Sequence, residues 1–198
     1  PVVFTGGGGV IANTAFDPAS AGATTIAIVQ PSGFDVPSNV NTSLVATVVG
    51  GDIPPGQVNL TQTVGTTATA STIFNSAYPA SDAIDGLSGT GSSWCTANND
   101  PSPSLTIDFG EDTTVSSLII VEYSAGSTTY DFLTGRFRLF NAALTQVYDS
   151  GVVALSGGNI DLDVNPDVSG VRRVVFEGVT WNSIEPCLSE LAVVGTAP

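Results

Sequence analysis

The sequence has no histidine, no lysine and no methionine, and its four arginines stand against eighteen carboxylates, for a formal charge of −14. Without histidine there is no Ser-His-Asp or Cys-His machinery, no imidazole metal ligand and no side chain that ordinarily titrates near neutrality. Without lysine there is no Schiff base and no phosphate-cradling P-loop lysine. A surface this acidic repels phosphate backbones and anionic lipid, so neither nucleic acid nor membrane insertion is expected. Apolar runs are also short. None nears the ~18 residues that span a bilayer. The opening at Pro1 reads as a processed chain.

What remains is a 198-residue chain, 42% hydrophobic, ample for a buried core. It is rich in Ser, Thr, Gly, Val and Asp and has two cysteines, Cys95 and Cys187, a composition that suits an extracellular, secreted or cell-surface β protein. Charge divides it. Residues 1–64 hold only Asp17, Asp35 and Asp52 and no base, whereas residues 65–198 hold the other fifteen acids and all four arginines. The expected organisation is therefore a small β-rich N-terminal module over 1–64, an incomplete sandwich or assembly segment, followed by a larger domain over 65–198.

Strand-like runs in the first part are 2–5, 10–12, 25–30, 43–49 and 57–64, separated by Gly-Gly, Pro-Ser and Pro-Pro breakers. In the second part Leu105, Ile107 and Phe109 alternate with polar neighbours and stop at Gly110, and further runs follow at 117–123, 136–141, 146–148, 159–164, 171–177 and 190–194. Many short strands with turn residues between them, and no helical period, predict an all-β antiparallel sandwich or jelly roll.

Residues 78–94, Tyr-Pro-Ala-Ser-Asp-Ala-Ile-Asp-Gly-Leu-Ser-Gly-Thr-Gly-Ser-Ser-Trp, and residues 186–195, Pro-Cys-Leu-Ser-Glu-Leu-Ala-Val-Val-Gly, flank Leu105-Thr-Ile-Asp-Phe-Gly110 and Val171-Arg-Arg-Val-Val-Phe176. In this order the four motifs resemble the discoidin, or coagulation-factor type C, family, which has a galactose-binding-like jelly roll and includes many carbohydrate-binding modules. The resemblance covers roughly residues 66–196.

An Asp in an Asp-Gly turn, a nearby hydroxyl and a distant Glu supply the hard oxygens that calcium takes, with turn carbonyls completing the shell. The resemblance implies a structural calcium held by the side chains of Asp85, Ser92 and Glu190 and the carbonyls of Asp82, Leu87, Ser92 and Ser189. Two extra residues before Ser92 leave Thr90 or Ser93 as alternative hydroxyl ligands. If one ion joins Ser92 to Glu190, Cys95 and Cys187 come close enough for a disulfide, and Trp94 packs inward. Asp161-Leu-Asp163-Val-Asn165 imitates an EF-hand start, but Pro166 stands where Gly must turn, so a strand with its Asp on a wet face is expected. Gly6 to Gly9 lacks the spacing of a phosphate loop. Asn41 and Asn59 head N-x-[ST] sequons.

Two roles follow, neither enzymatic, since no pair of carboxylates stands in a context that suggests a raised pKa. The first is an adhesion or glycan-recognition module, with Trp181, Asn182, Asn98, Asn99, Tyr123 and Tyr130 as the loop residues that stack on and bond to a sugar. The arginines fall inside predicted strands. The second is a self-assembling subunit of an extracellular filament, sheath or surface layer, in which Val2, Val3 and Phe4 add a strand to a neighbouring copy.

Overall fold

The computed structural model describes residues 5–6, 9–10, 53–88, 91–123, 129–155 and 160–198. The chain divides into two compact units, Pro1–Phe34 and Asp35–Pro198. In the first, β1 (Thr5–Gly6) and β2 (Gly9–Val10) form an antiparallel pair across the glycine run. The runs 25–30 and 43–49, the Asn41 sequon and Val2, Val3 and Phe4 lie outside the described residues.

The second unit is a galactose-binding-like antiparallel β-sandwich of eight strands, β3 (Val58–Asn59), β4 (Thr67–Ala70), β5 (Trp94–Cys95), β6 (Ser104–Glu122), β7 (Phe132–Phe140), β8 (Gln146–Ala154), β9 (Ile160–Trp181) and β10 (Cys187–Thr196). Two strands are far longer than their sequence patterns predict. In β6 the runs 105–109 and 117–123 are one strand, bent at Gly110 (φ 78°), where pairing with β9 skips from Asp108 to Thr113. In β9 the runs 159–164 and 171–177 likewise join around Gly170 (φ 69°). A positive φ is cheap only for glycine, and at these two places a long strand turns a corner and passes from one layer to the other.

One layer is therefore β4, the first half of β6, the second half of β9, β7 and β8. The other is β3 and β5 on β10, then the second half of β6 and the first half of β9. Between them lie Leu105, Ile107, Phe109, Leu118, Ile120, Phe137, Leu139, Val174, Phe176, Leu191 and Val193, all buried. Period-two alternation places these residues inward, and Gly135 and Gly178 leave room for the rings of Phe176 and Phe132.

The segment 53–64, grouped by composition with the N-terminal module, packs with the sandwich. Asn59 pairs with Val194, and Leu60 is fully buried. Its predicted strand stops after Asn59, because the Asn59 side chain accepts from the Thr61 amide (3.1 Å) and starts a 3-10 turn over Leu60–Gln62. Asp161 and Asp163 are exposed on β9, as expected of a wet strand face.

Candidate functional site

Two sites are built around the start of β10. The first begins with a 3-10 turn over Ala80–Ile84, anchored by buried Ala83 and Ile84, which sets Asp82 and Asp85 at its rim. The Gln62 amide donates to the Ile84 carbonyl at 2.6 Å and lies beneath Gly86, whose φ of 79° closes the Asp-Gly turn. Asp85 Oδ1 accepts from the Leu87 amide at 2.8 Å, and its Oδ2 accepts from the Ser92 hydroxyl. Across the site, Glu190 Oε1 accepts from the Gly86 amide at 3.3 Å.

Asp85, Ser92 and Glu190 are thus brought together, and Asp82 stands close enough for its charge to interact with that of Asp85. Ser93 turns away: its hydroxyl donates to the Ser92 carbonyl at 2.7 Å and lies 3.2 Å from that of Ser189. Thr90 lies outside the described residues. Leu87 is an exposed loop residue and Ser189 is buried beside Glu190.

Glu190 is fully buried, and Oε2 has no hydrogen-bond partner among the described residues. Burial, reinforced by the Asp85 charge, pushes its carboxyl up to about 9 despite hydrogen bonds from the Gly86 and Asp85 amides. Burial and Asp85 also raise Asp82. A buried, half-satisfied carboxylate facing a second carboxylate, a hydroxyl and a turn fits a hard divalent cation, which would take up the orphaned oxygen and offset the repulsion. Among the described residues no cluster of three or more His, Cys, Asp or Glu side chains could hold a metal ion.

The pair corrects one expectation, that no two carboxylates share an environment that raises a pKa. Unlike carboxylates are also what glycosidases use, but Glu190, at 0% exposure, cannot touch a glycosidic oxygen.

The second site is at the loop end beside the disulfide. Cys95 and Cys187 pair across the β5–β10 ladder and are bonded, with Cα atoms 4.0 Å apart. Loops converge on them. The Phe74 amide donates to the Cys95 carbonyl (2.7 Å), the Cys187 amide to Tyr130 (2.6 Å), the Thr96 amide to Pro186 (3.0 Å) and the Asn99 amide to Ile184 (2.6 Å). Beneath them Trp94 is buried as expected, its indole donating to the Thr72 carbonyl. Burial pushes the Asp100 carboxyl up, but hydrogen bonds from Thr72, Ser102 and Ser71 outweigh it and leave the group lowered, a charged staple for loop 71–72.

On this frame an aromatic ridge forms. Phe74 and Tyr78 have ring centroids 6.1 Å apart, Tyr78 lies near enough to Tyr123 to raise its phenol, and Tyr123 and Tyr130 meet edge-on at 5.8 Å. Phe74 (42%), Tyr130 (36%) and the flanking Ile73 (44%) and Ile184 (54%) are exposed. Desolvation and the neighbouring tyrosines raise the Tyr123 phenol, which stays protonated at neutral pH.

Of the nominated residues, Tyr123 and Tyr130 are in the ridge, while Asn98 and Asn99 are exposed on the loop that bonds Ile184. Trp181 is not in the ridge. It packs edge-on against Phe132, 6.3 Å between centroids, while Asn182 is exposed next to it. Phe74 and Tyr78 were missed. The signal available was that two aromatics four residues apart precede the Asp-Gly motif in a stretch without strand alternation.

The F5/8 type C domain profile matches residues 67–189. No curated protein matches the chain. Among solved structures, the family 32 carbohydrate-binding module of C. perfringens NanJ, in complex with galactose, has a TM-score of 0.58 at 20% identity, over 70% of this chain and 98% of that one. The lectin domain of lectinolysin, complexed with Lewis B antigen, reaches 0.60 at 20% identity, over 71% and 98%. An F5/8 type C domain from Bacteroides fragilis reaches 0.60 at 14% identity, over 73% and 100%. At these identities the structural likenesses establish the fold.

Proposed function

The chain belongs to the F5/8 type C domain family, and from this we propose that it is a non-enzymatic glycan-binding module of a secreted or cell-surface protein, stabilised by one structural calcium ion. The observation that carries the reading is the ridge Phe74–Tyr78–Tyr123–Tyr130, with Phe74 and Tyr130 exposed and Tyr78 and Tyr123 half-buried, locked to the disulfide by the loop hydrogen bonds. Sugar rings present C–H faces that stack on aromatic side chains, and three phenolic hydroxyls, with the amides of Asn98 and Asn99 on the adjoining loop, can bond sugar hydroxyls. Rings fixed in advance lose little entropy on binding. The two solved neighbours with galactose and Lewis B antigen support this choice of ligand class.

Calcium would be held by Asp85, Ser92 and Glu190, tying the 82–92 loop to β10 and so adding to stability when bound. Glu190 and Cys187 lie on the same strand, so the site also steadies the disulfide that frames the ridge. The test is a glycan array probed with the wild-type chain and with Tyr130→Ala. Binding to a defined set of glycans that Tyr130→Ala loses supports the reading; no glycan bound in millimolar calcium overturns it.

A further inference from the structure

The edges of a sheet expose backbone groups that can pair with another chain, and most edges of this sandwich are blunted against that. β3 is two residues long and β4 four. The first half of β9, bordering the other layer, carries Asp161, Asp163, Pro166 and Asp167. β8 has none of these protections. It runs nine residues, Gln146–Ala154, without proline or lysine, and among the described residues it pairs only with β7. Its one irregular point is a bulge, where Ser150 and Gly151 together face Phe137 between the Arg138–Asp149 and Arg136–Val152 pairs.

The side chains along this edge are apolar and nearly uncharged. Leu144, in the turn before β8, and Val147 and Val152 on it are exposed, Val152 at 61%. From 139 to 160 the only charged residue is Asp149, which accepts from Arg136 at 2.8 Å. Arg138 pairs with Glu177, and Arg172 and Arg173 with Asp108, so all four arginines stand on the layer that β8 borders. The sequence has no lysine or histidine, so elsewhere its charged side chains are carboxylates. Two copies at −14 each repel one another, and β8 is the approach along which that repulsion is least.

We propose that β8 is a self-association edge, where two copies pair β8 against β8, antiparallel about a two-fold axis. Val147 of each copy then stands opposite Val152 of the other, and the two layers become one continuous sheet. Backbone groups that point to solvent in one copy bond those of the second, and the valines cover each other across the new ladder. A two-fold contact is closed, so it makes a dimer rather than a filament. The proposal is independent of the glycan-binding reading and uses none of the ridge residues.

Sedimentation of the full chain at fixed calcium, over a range of protein concentrations, is the test. The wild type should dimerise with a dissociation constant on the order of 0.1 mM, as suits an interface below ~1,200 Å². The dimer should tighten at least ~3-fold between ~10 and ~150 mM salt, because screening removes repulsion between the two acidic chains. Val152→Lys sets a charge on the edge while making the net charge less negative, so electrostatics between whole chains would favour association; pairing should nevertheless weaken at least ~10-fold. Val64→Lys adds the same charge at a fully exposed turn residue and should leave the constant within ~2-fold of wild type. A chain that stays monomeric at ~1 mM in either salt would overturn the proposal. So would a dimer that Val152→Lys leaves intact, or larger species that dissolve as salt rises, which would place the arginine-bearing layer of one copy against an acidic surface of the next.

Discussion

Glu190 Oε1 accepts a hydrogen bond from the Gly86 amide at 3.3 Å, yet Oε2 of the same buried carboxylate has none among the described residues. Without a metal the folded state therefore favours the protonated acid, its carboxyl pushed up to about 9 from the ordinary 4.5 by burial and the Asp85 charge. Between those values the folded chain binds more protons than the unfolded one, so stability falls as pH rises. Urea denaturation in chelator should show a loss on the order of 2–4 kcal/mol from pH 5 to pH 8. Calcium at 100 times its dissociation constant should return about 2.7 kcal/mol. Glu190→Gln should flatten the pH slope and abolish the calcium response together; a variant that loses neither would remove Glu190 from the metal site.

The Cys95–Cys187 disulfide closes a separation of 92 residues between a two-residue strand and β10. In the chain-entropy account a loop of that size contributes ~4–5 kcal/mol, mainly by restricting the unfolded chain. Cys95→Ala with Cys187→Ala should lower stability by a comparable amount in equilibrium urea denaturation, and reductant should then have no further effect. Because Phe74 and Tyr130 bond to these two residues through their backbones, glycan affinity should fall in the same variant at temperatures where it is still folded.

How far these features could be read in advance depends on whether they are local. Leu105, Ile107 and Phe109 declare their strand because period-two alternation lies in six residues, and the Asp-Gly turn with Ser92 is a short motif. Family resemblance linked it to Glu190, and the structure brings the two together. That 105–109 and 117–123 form one strand was hidden, since Gly110 reads as a stop when its real effect is a positive φ at a corner. The strand after Asn59 was overcalled because a single side-chain cap outweighs β propensity. The ridge could be read only in part: Tyr123 and Tyr130 stand out as loop aromatics, but Phe74 and Tyr78 come from another segment that meets them only around the disulfide. That Trp181 packs edge-on against Phe132 was hidden too, because its sequence cannot show that Phe132 lies opposite to receive it.

The ridge and Trp181 should separate in a binding experiment. Phe74→Ala and Tyr130→Ala remove exposed rings, so each should weaken glycan binding at least tenfold while changing the midpoint of thermal unfolding little. Trp181→Ala removes a ring packed on Phe132 against the core and should cost stability, ~2–4 kcal/mol, with a smaller effect on affinity in the folded fraction. Titration calorimetry and thermal unfolding on the same samples check both. Binding lost in Trp181→Ala and kept in Tyr130→Ala would move the site from the ridge to the β9 end.

Gly195 sits where β10 is paired on both sides, to Val58 on β3 and to Val115 on β6. A Cβ there would overlap the Thr114 carbonyl oxygen and stand 3.1 Å from Leu60 Cδ1. The first of these is backbone inside a ladder, which cannot swing aside as a long side chain would, so relief requires separating the strands that close the sandwich. Gly195→Ala should therefore destabilise by ~2–3 kcal/mol, at the upper end for overpacking. Gly91→Ala supplies the control: its Cβ would meet nothing within 4 Å, and its φ lies outside the left-handed region. It should stay within ~0.5 kcal/mol of wild type. Equal midpoints for the two variants in urea would mean that β3 is not held tightly against β10, and that residues 53–64 contribute little to the folding unit they pack on.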